Sequence, residues 1–171
     1  MRTGRLPKEL GKLVNLAHLD LSRTMTPRRR VSAVAFYQNI GSSKRLTVGN
    51  RARSLTDLCL SGTIPKELGK LTNLKELYLH QNQLTGSLPK ELGSLVNLIV
   101  LSLWGNQLSG RVPQEIRRLT KLKSLGLGHN VFSGSVPKEL GELAQLTYLN
   151  LSGNQLTGVN RVAFKLIIRV V

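Results

Sequence analysis

The apolar positions of this chain recur in blocks. Leucines stand as LxxLxL; two variable positions and an asparagine follow, and then a further apolar residue, a glycine and a proline at fixed distances. Gly62, Gly86, Gly110, Gly134 and Gly158 are each 24 residues apart, as are Pro65, Pro89, Pro113 and Pro137, and Leu74, Leu98, Leu122 and Leu146. Three residue types keeping one period over four or five copies mark an array of stacked units, not one core with distinct layers. Complete units span 74–97, 98–121 and 122–145; a fourth begins at Leu146 and stops matching after Gly158; a part-unit runs from Gly4 to Leu21.

Each segment of the unit predicts an element. LxxLxL alternates as a short strand does, with two leucines turned inward. Equivalent strands of successive units should pair in parallel and form a curved sheet. Asn82, Asn106, Asn130 and Asn154 stand where the chain leaves that strand. An inward amide there can donate and accept between units, meeting the hydrogen-bonding demand of a buried turn. Glycine and proline then shape the return. PKELGKL places leucines three apart, which predicts a short helical or 3₁₀ turn on the core.

The segments LCLSGTIP at 58–65, LTGSLP at 84–89, LSGRVP at 108–113 and FSGSVP at 132–137 carry the LxGxIP hallmark. The chain resembles the plant-type leucine-rich repeats found in ectodomains of receptor-like kinases and receptor-like proteins. The resemblance covers residues 4–21 and 58–158. It implies an α/β solenoid, a right-handed horseshoe with a concave parallel sheet and short helical or 3₁₀ convex turns. It also implies recognition of a protein or peptide, and an extracellular or cell-surface setting.

One stretch breaks the period. Pro7 to Pro65 is 58 residues, so 34 are extra, and the excess falls just after a strand, between Leu21 and Leu60. The organisation expected is a partial repeat at 1–23, a basic non-repeat insertion at 24–57, the array at 58–158 and a divergent apolar-basic tail at 159–171. Three readings of the insertion stay open: an extruded basic loop, a wrongly joined coding segment, or a functional basic arm. Loops of such length are usually functional or disordered. The ends lack the cysteine-bearing caps usual in extracellular relatives, which suggests a fragment or a divergent member.

Charge sharpens this division. The formal net charge is +16, and residues 24–54 and 159–171 supply ten of it, leaving the repeats mildly basic. Arg28–Arg30, Lys44–Arg45 and Arg51–Arg53 would attract nucleic acid or an anionic membrane without specificity. That makes a basic binder the alternative to peptide recognition, with a non-functional, misassembled fragment as the third. Aromatic residues make up only 4% of the chain, and the single cysteine, Cys59, excludes an intrachain disulfide. Cys59 reads as a packing residue. No stretch approaches the ~20 apolar residues of a membrane helix, and the N-terminus lacks a signal-peptide core. Localisation is therefore open.

Candidate chemistry is sparse. The variable positions of LxxLxLxx should face the concave side. There Tyr78, His80, Val100, Trp104, His129 and Tyr148 are the expected ligand-contacting residues, with Tyr78, His80 and Trp104 as the best patch. His80 and His129 lie two strands apart, roughly 10 Å, too far to share a zinc ion, so no metal is expected. Glu9, Glu67, Glu91, Glu115 and Glu139 recur in P-[KQ]-E and read as a solvated ladder. Asn150-Leu151-Ser152 is a glycosylation sequon on a strand. No phosphate loop and no kinase motif set is present. No catalytic constellation and no cofactor is expected.

Overall fold

The computed structural model describes residues 2–22, 45–47 and 58–158. Among these residues two six-stranded parallel sheets flank a leucine core. The first carries the LxxLxL strands: β2 (His18–Asp20), β5 (Glu76–Tyr78), β7 (Val100–Ser102), β9 (Ser124–Gly126) and β11 (Tyr148–Asn150), with β3 (Arg45–Thr47) outside β2. The second carries β1 (Arg2–Arg5), β4 (Leu58–Thr63), β6 (Gln83–Ser87), β8 (Gln107–Gly110), β10 (Val131–Ser135) and β12 (Gln155–Thr157). Between the sheets run five 3₁₀ turns: η1 (Lys8–Lys12), η2 (Lys66–Lys70), η3 (Lys90–Ser94), η4 (Gln114–Arg118) and η5 (Lys138–Glu142). The expected helical or 3₁₀ turns are thus 3₁₀ throughout the described residues. The LxGx segments, read from sequence as a return, form a second sheet.

The alternation explains the first sheet. Leu77 and Leu79 are fully buried, while Glu76, Tyr78 and His80 between and beside them stay half-exposed. The same column holds Leu19, Leu77, Leu101, Leu125 and Leu149 in strict Cα register. One apolar cluster runs from Leu6 to Leu149, with Phe132 filling a leucine position at full burial. Cys59 is buried and unpaired on β4.

The asparagines satisfy the turn that follows each strand. Asn106 donates from Nδ2 to the carbonyls of Leu79 (3.0 Å) and Leu103 (2.9 Å) and accepts the Leu84 amide at Oδ1 (3.1 Å). Asn130 and Asn154 repeat this one and two coils on. Asn82 does more. It donates to Leu21 and accepts from Leu60, so one side chain ties together the two ends of the interruption.

Glycine sets the coil spacing on the other side. A Cβ on Gly93 would fall 2.5 Å from the Glu115 carbonyl oxygen, and Gly11 and Gly69 face Glu67 and Glu91 the same way. The turns therefore stack at backbone contact. Arg117 stands at the equivalent position of η4, and η4 and η5 pack less closely. Among the described residues no helix is long and apolar enough to cross a membrane.

Candidate functional site

The first sheet presents its polar positions in rows across the strands, because in-register parallel strands place equivalent side chains about 4.8 Å apart. One row holds His18, Glu76, Val100, Ser124 and Tyr148; the next holds Asp20, Tyr78, Ser102, Gly126 and Asn150. His80 and Trp104 follow two residues after Tyr78 and Ser102. Four rings, His18, Tyr78, His80 and Trp104, gather at the N-terminal end of these rows.

There the rings touch. His80 and Trp104 stack, centroids 5.3 Å apart and planes 11° from parallel. Tyr78 meets His80 edge-on at 6.2 Å and 81°, and tilts against His18 at 5.6 Å. Such pairs contribute about 1 kcal/mol each beyond area burial. The His80 ring is fixed from another side by Ser102, whose Oγ lies 3.2 Å from Nδ1. His18 Nδ1 pairs with Glu76 Oε2 at 2.5 Å, while its buried Nε2 has no partner. Burial pushes His80 below the usual histidine range, and the nearby Asp20 carboxylate only partly opposes this. The stacked imidazole is therefore neutral at pH 7, and the platform is apolar on its ring faces.

Beyond Trp104 two positions carry no side chain, and both are buried. Gly126 and Gly128 take the next places in the Ser102 and Trp104 rows. A Cβ at Gly126 would sit 3.8 Å from Trp104 Cδ1, ordinary contact distance. The indole edge therefore lies beside the buried Gly126 backbone. Gly128 differs: a Cβ there would strike the Asn150 amide, 2.6 Å from Oδ1. Asn150 accepts at that oxygen from the Ser152 amide (2.9 Å) and hydroxyl (2.7 Å). Asp20 and Ser22 make the same turn at the other end of the sheet.

Of the expected contact residues, Tyr78, His80 and Trp104 come together, and Val100 is half-buried in the adjoining row. His129 and Tyr148 stand apart. Tyr148 is 41% exposed on β11, with Ser124 between it and Val100. His129 lies past β9 in a left-handed turn, φ 51°, where the neighbouring coil has Gly105. Sequence reading missed His18 as a member of the ring group. The signal was available: counting back 58 residues, one period plus the 34 extra, places His18 level with Glu76. Among the described residues no group of three or more His, Cys, Asp or Glu is placed to hold a metal. The basic runs at 28–30 and 51–53 lie outside the described residues, as does Lys44 and the tail at 159–171.

Comparison with known proteins agrees with this fold. The family model "Leucine rich repeat" matches residues 97–156, and "Leucine Rich repeats (2 copies)" matches 72–112. A chain of the BIR3–SERK2 complex from Arabidopsis thaliana is 39% identical, at TM-score 0.55, over 57% of this chain and 53% of that one. The Arabidopsis receptor kinase HAESA, solved with an N-terminally extended IDA peptide hormone, is 35% identical at TM-score 0.64, over 91% of this chain and 24% of its own. The SOBIR1 receptor-kinase ectodomain from Arabidopsis thaliana, at 24% identity and TM-score 0.65 over 89% of this chain and 64% of its own, shares the fold. The chain thus spans about half the length of the first of these structures and a quarter of the second. No curated protein sequence matches it. The chain has the leucine-rich-repeat solenoid fold, and its repeats are similar to those of plant receptor-kinase ectodomains.

Proposed function

We propose that this chain is a recognition module that binds a protein or peptide across its first sheet, with the His80–Trp104 stack as the anchor. The observation that carries the reading is the half-exposed platform of stacked rings. Aromatic anchors in pre-set positions dominate binding energetics, and rings already held by neighbours cost little ordering on association. His80 is held by Trp104, Tyr78 and Ser102 before any ligand arrives. Ser124 on β9 and the 41% exposed Tyr148 on β11 continue the face across which an extended chain would lie. The similar structures support this: one is a receptor kinase with a peptide hormone and another is a complex of two proteins. In the fuller reading the chain is part of a cell-surface receptor-like protein, and it recognises without catalysing.

The test is selection of peptides from a displayed random library on the immobilised full chain. Binding of the enriched peptides is then compared on Trp104→Ala, His80→Ala and, as a control outside the first sheet, Glu91→Ala. Truncating an anchor costs about 2 kcal/mol. The expected result is therefore a loss of roughly thirtyfold on Trp104→Ala, a smaller loss on His80→Ala and no change on Glu91→Ala. Enriched peptides that keep full affinity for both sheet variants would overturn the proposal, as would a failure to enrich any.

A further inference from the structure

β3 has a place in the solenoid that the repeat period denies it. Its three residues pair in parallel with β2 in the register His18↔Arg45, Leu19↔Leu46, Asp20↔Thr47. This is the register in which β2 meets β5 and β5 meets β7. The backbone register of the first sheet therefore extends by one strand, with Leu46 opposite Leu19. On the second sheet, β1 meets β4 with Gly4 opposite Leu60, matching Gly62 opposite Leu84 and Gly86 opposite Leu108. β1 is thus the second-sheet strand of the coil that precedes β2. The first-sheet position of that same coil is the one β3 fills, although β3 follows β2 in sequence.

We propose that β3 is an end cap added in cis: the insertion carries a strand that completes the coil of β1 and closes the outer edge of β2 against strand addition by a second copy. A sheet edge is a template for pairing unless it is short and charged; β3, three residues with Arg45, moves the edge of the first sheet onto such a strand, and solenoids need their end coils closed. The hydrogen-bond pattern identifies which groups are covered. The Leu21 amide donates to the Tyr78 carbonyl on β5 at 2.8 Å. Strand residues alternate in direction, so the amides of His18 and Asp20 point to the opposite edge, where β3 lies. Without β3 those two donors face solvent or another chain. The insertion then has a structural role at one end of the array, whatever its basic runs do.

The experiment is residue-resolved amide exchange by NMR on the full chain, beside sedimentation velocity over a range of concentrations. In the wild-type chain the His18 and Asp20 amides should exchange as slowly as those of Leu19 and Leu21. Leu46→Pro removes an amide from the middle of β3. It should speed exchange at His18 and Asp20 by roughly tenfold or more, leave Leu77 and Leu101 unchanged, and produce a concentration-dependent dimer. Deleting residues 24–57, which restores the 24-residue spacing, should also produce self-association. Unprotected His18 and Asp20 amides in the wild-type chain would overturn the proposal without any variant. A Leu46→Pro chain with unchanged exchange would overturn it too, and so would a deletion chain that stays monomeric.

Discussion

Asn106 shows how much one side chain can carry in this architecture. It is buried and bonded to the backbone of three coil positions at once: Leu79, Leu84 and Leu103. Removing it strands one amide and two carbonyls in a site that water reaches poorly, at about 1–3 kcal/mol for each buried group left unpaired. Asn106→Ala should therefore lower unfolding free energy by about 3 kcal/mol in urea denaturation, after partial relaxation. A loss under about 1 kcal/mol would mean that the ladder is not a stability element. His80 carries a different prediction. Its folded-state proton affinity is lowered by burial, so the unfolded chain binds the proton first as pH falls. The stability tied to the neutral ring is intact above the ordinary histidine range. It is lost between that range and the lower folded-state value, and falls no further once both states are protonated. His80→Gln should flatten the stability–pH curve in that window, and NMR titration should place the His80 ring below an exposed histidine. A ring titrating above the ordinary value would contradict the burial argument.

Among the elements, the first-sheet strands of the repeats were legible in the sequence, and β3, inside the insertion, was not. LxxLxL alternation needs only the period of two, and the residues that break the leucine columns are the ones left half-exposed. The 3₁₀ turns were legible as leucines spaced by three after a proline. The second sheet was not. QLTGS and VFSGS hold few inward apolar residues and include a glycine, Gly86 or Gly134, at φ 76° or 78°. Their pairing comes from stacking of neighbouring coils, which no single segment reveals. The contact role of Gly93 was hidden for the same reason, because it depends on Glu115 in the next coil. Gly93→Ala should cost about 1–3 kcal/mol through forced separation of η3 and η4, read as a lower thermal midpoint. An unchanged midpoint would show that the turns are free to part. Arg117→Gly, at the looser step between η4 and η5, should be tolerated.

For the whole molecule, the solenoid followed from the period, but the site did not follow from the solenoid. Tyr78, His80 and Trp104 were identifiable as neighbours because strand spacing fixes their distances. His18 joined them only through the register across the interruption. His129 and Tyr148 shared the sheet with them in sequence terms, yet β9, with Ser124 and Gly126, separates Tyr148 from the strand that leads to Trp104, and His129 sits in the turn beyond β9. The candidate site is consequently smaller than the set of variable positions, and it centres on Trp104, the only tryptophan in the chain. That makes the indole its own reporter. The most direct test of the recognition account is to titrate a selected peptide into the full chain, following Trp104 emission and heat of binding together. The account predicts a saturable emission change with the same midpoint as the heat. Heat of binding with unchanged Trp104 emission would place the contact elsewhere and contradict it.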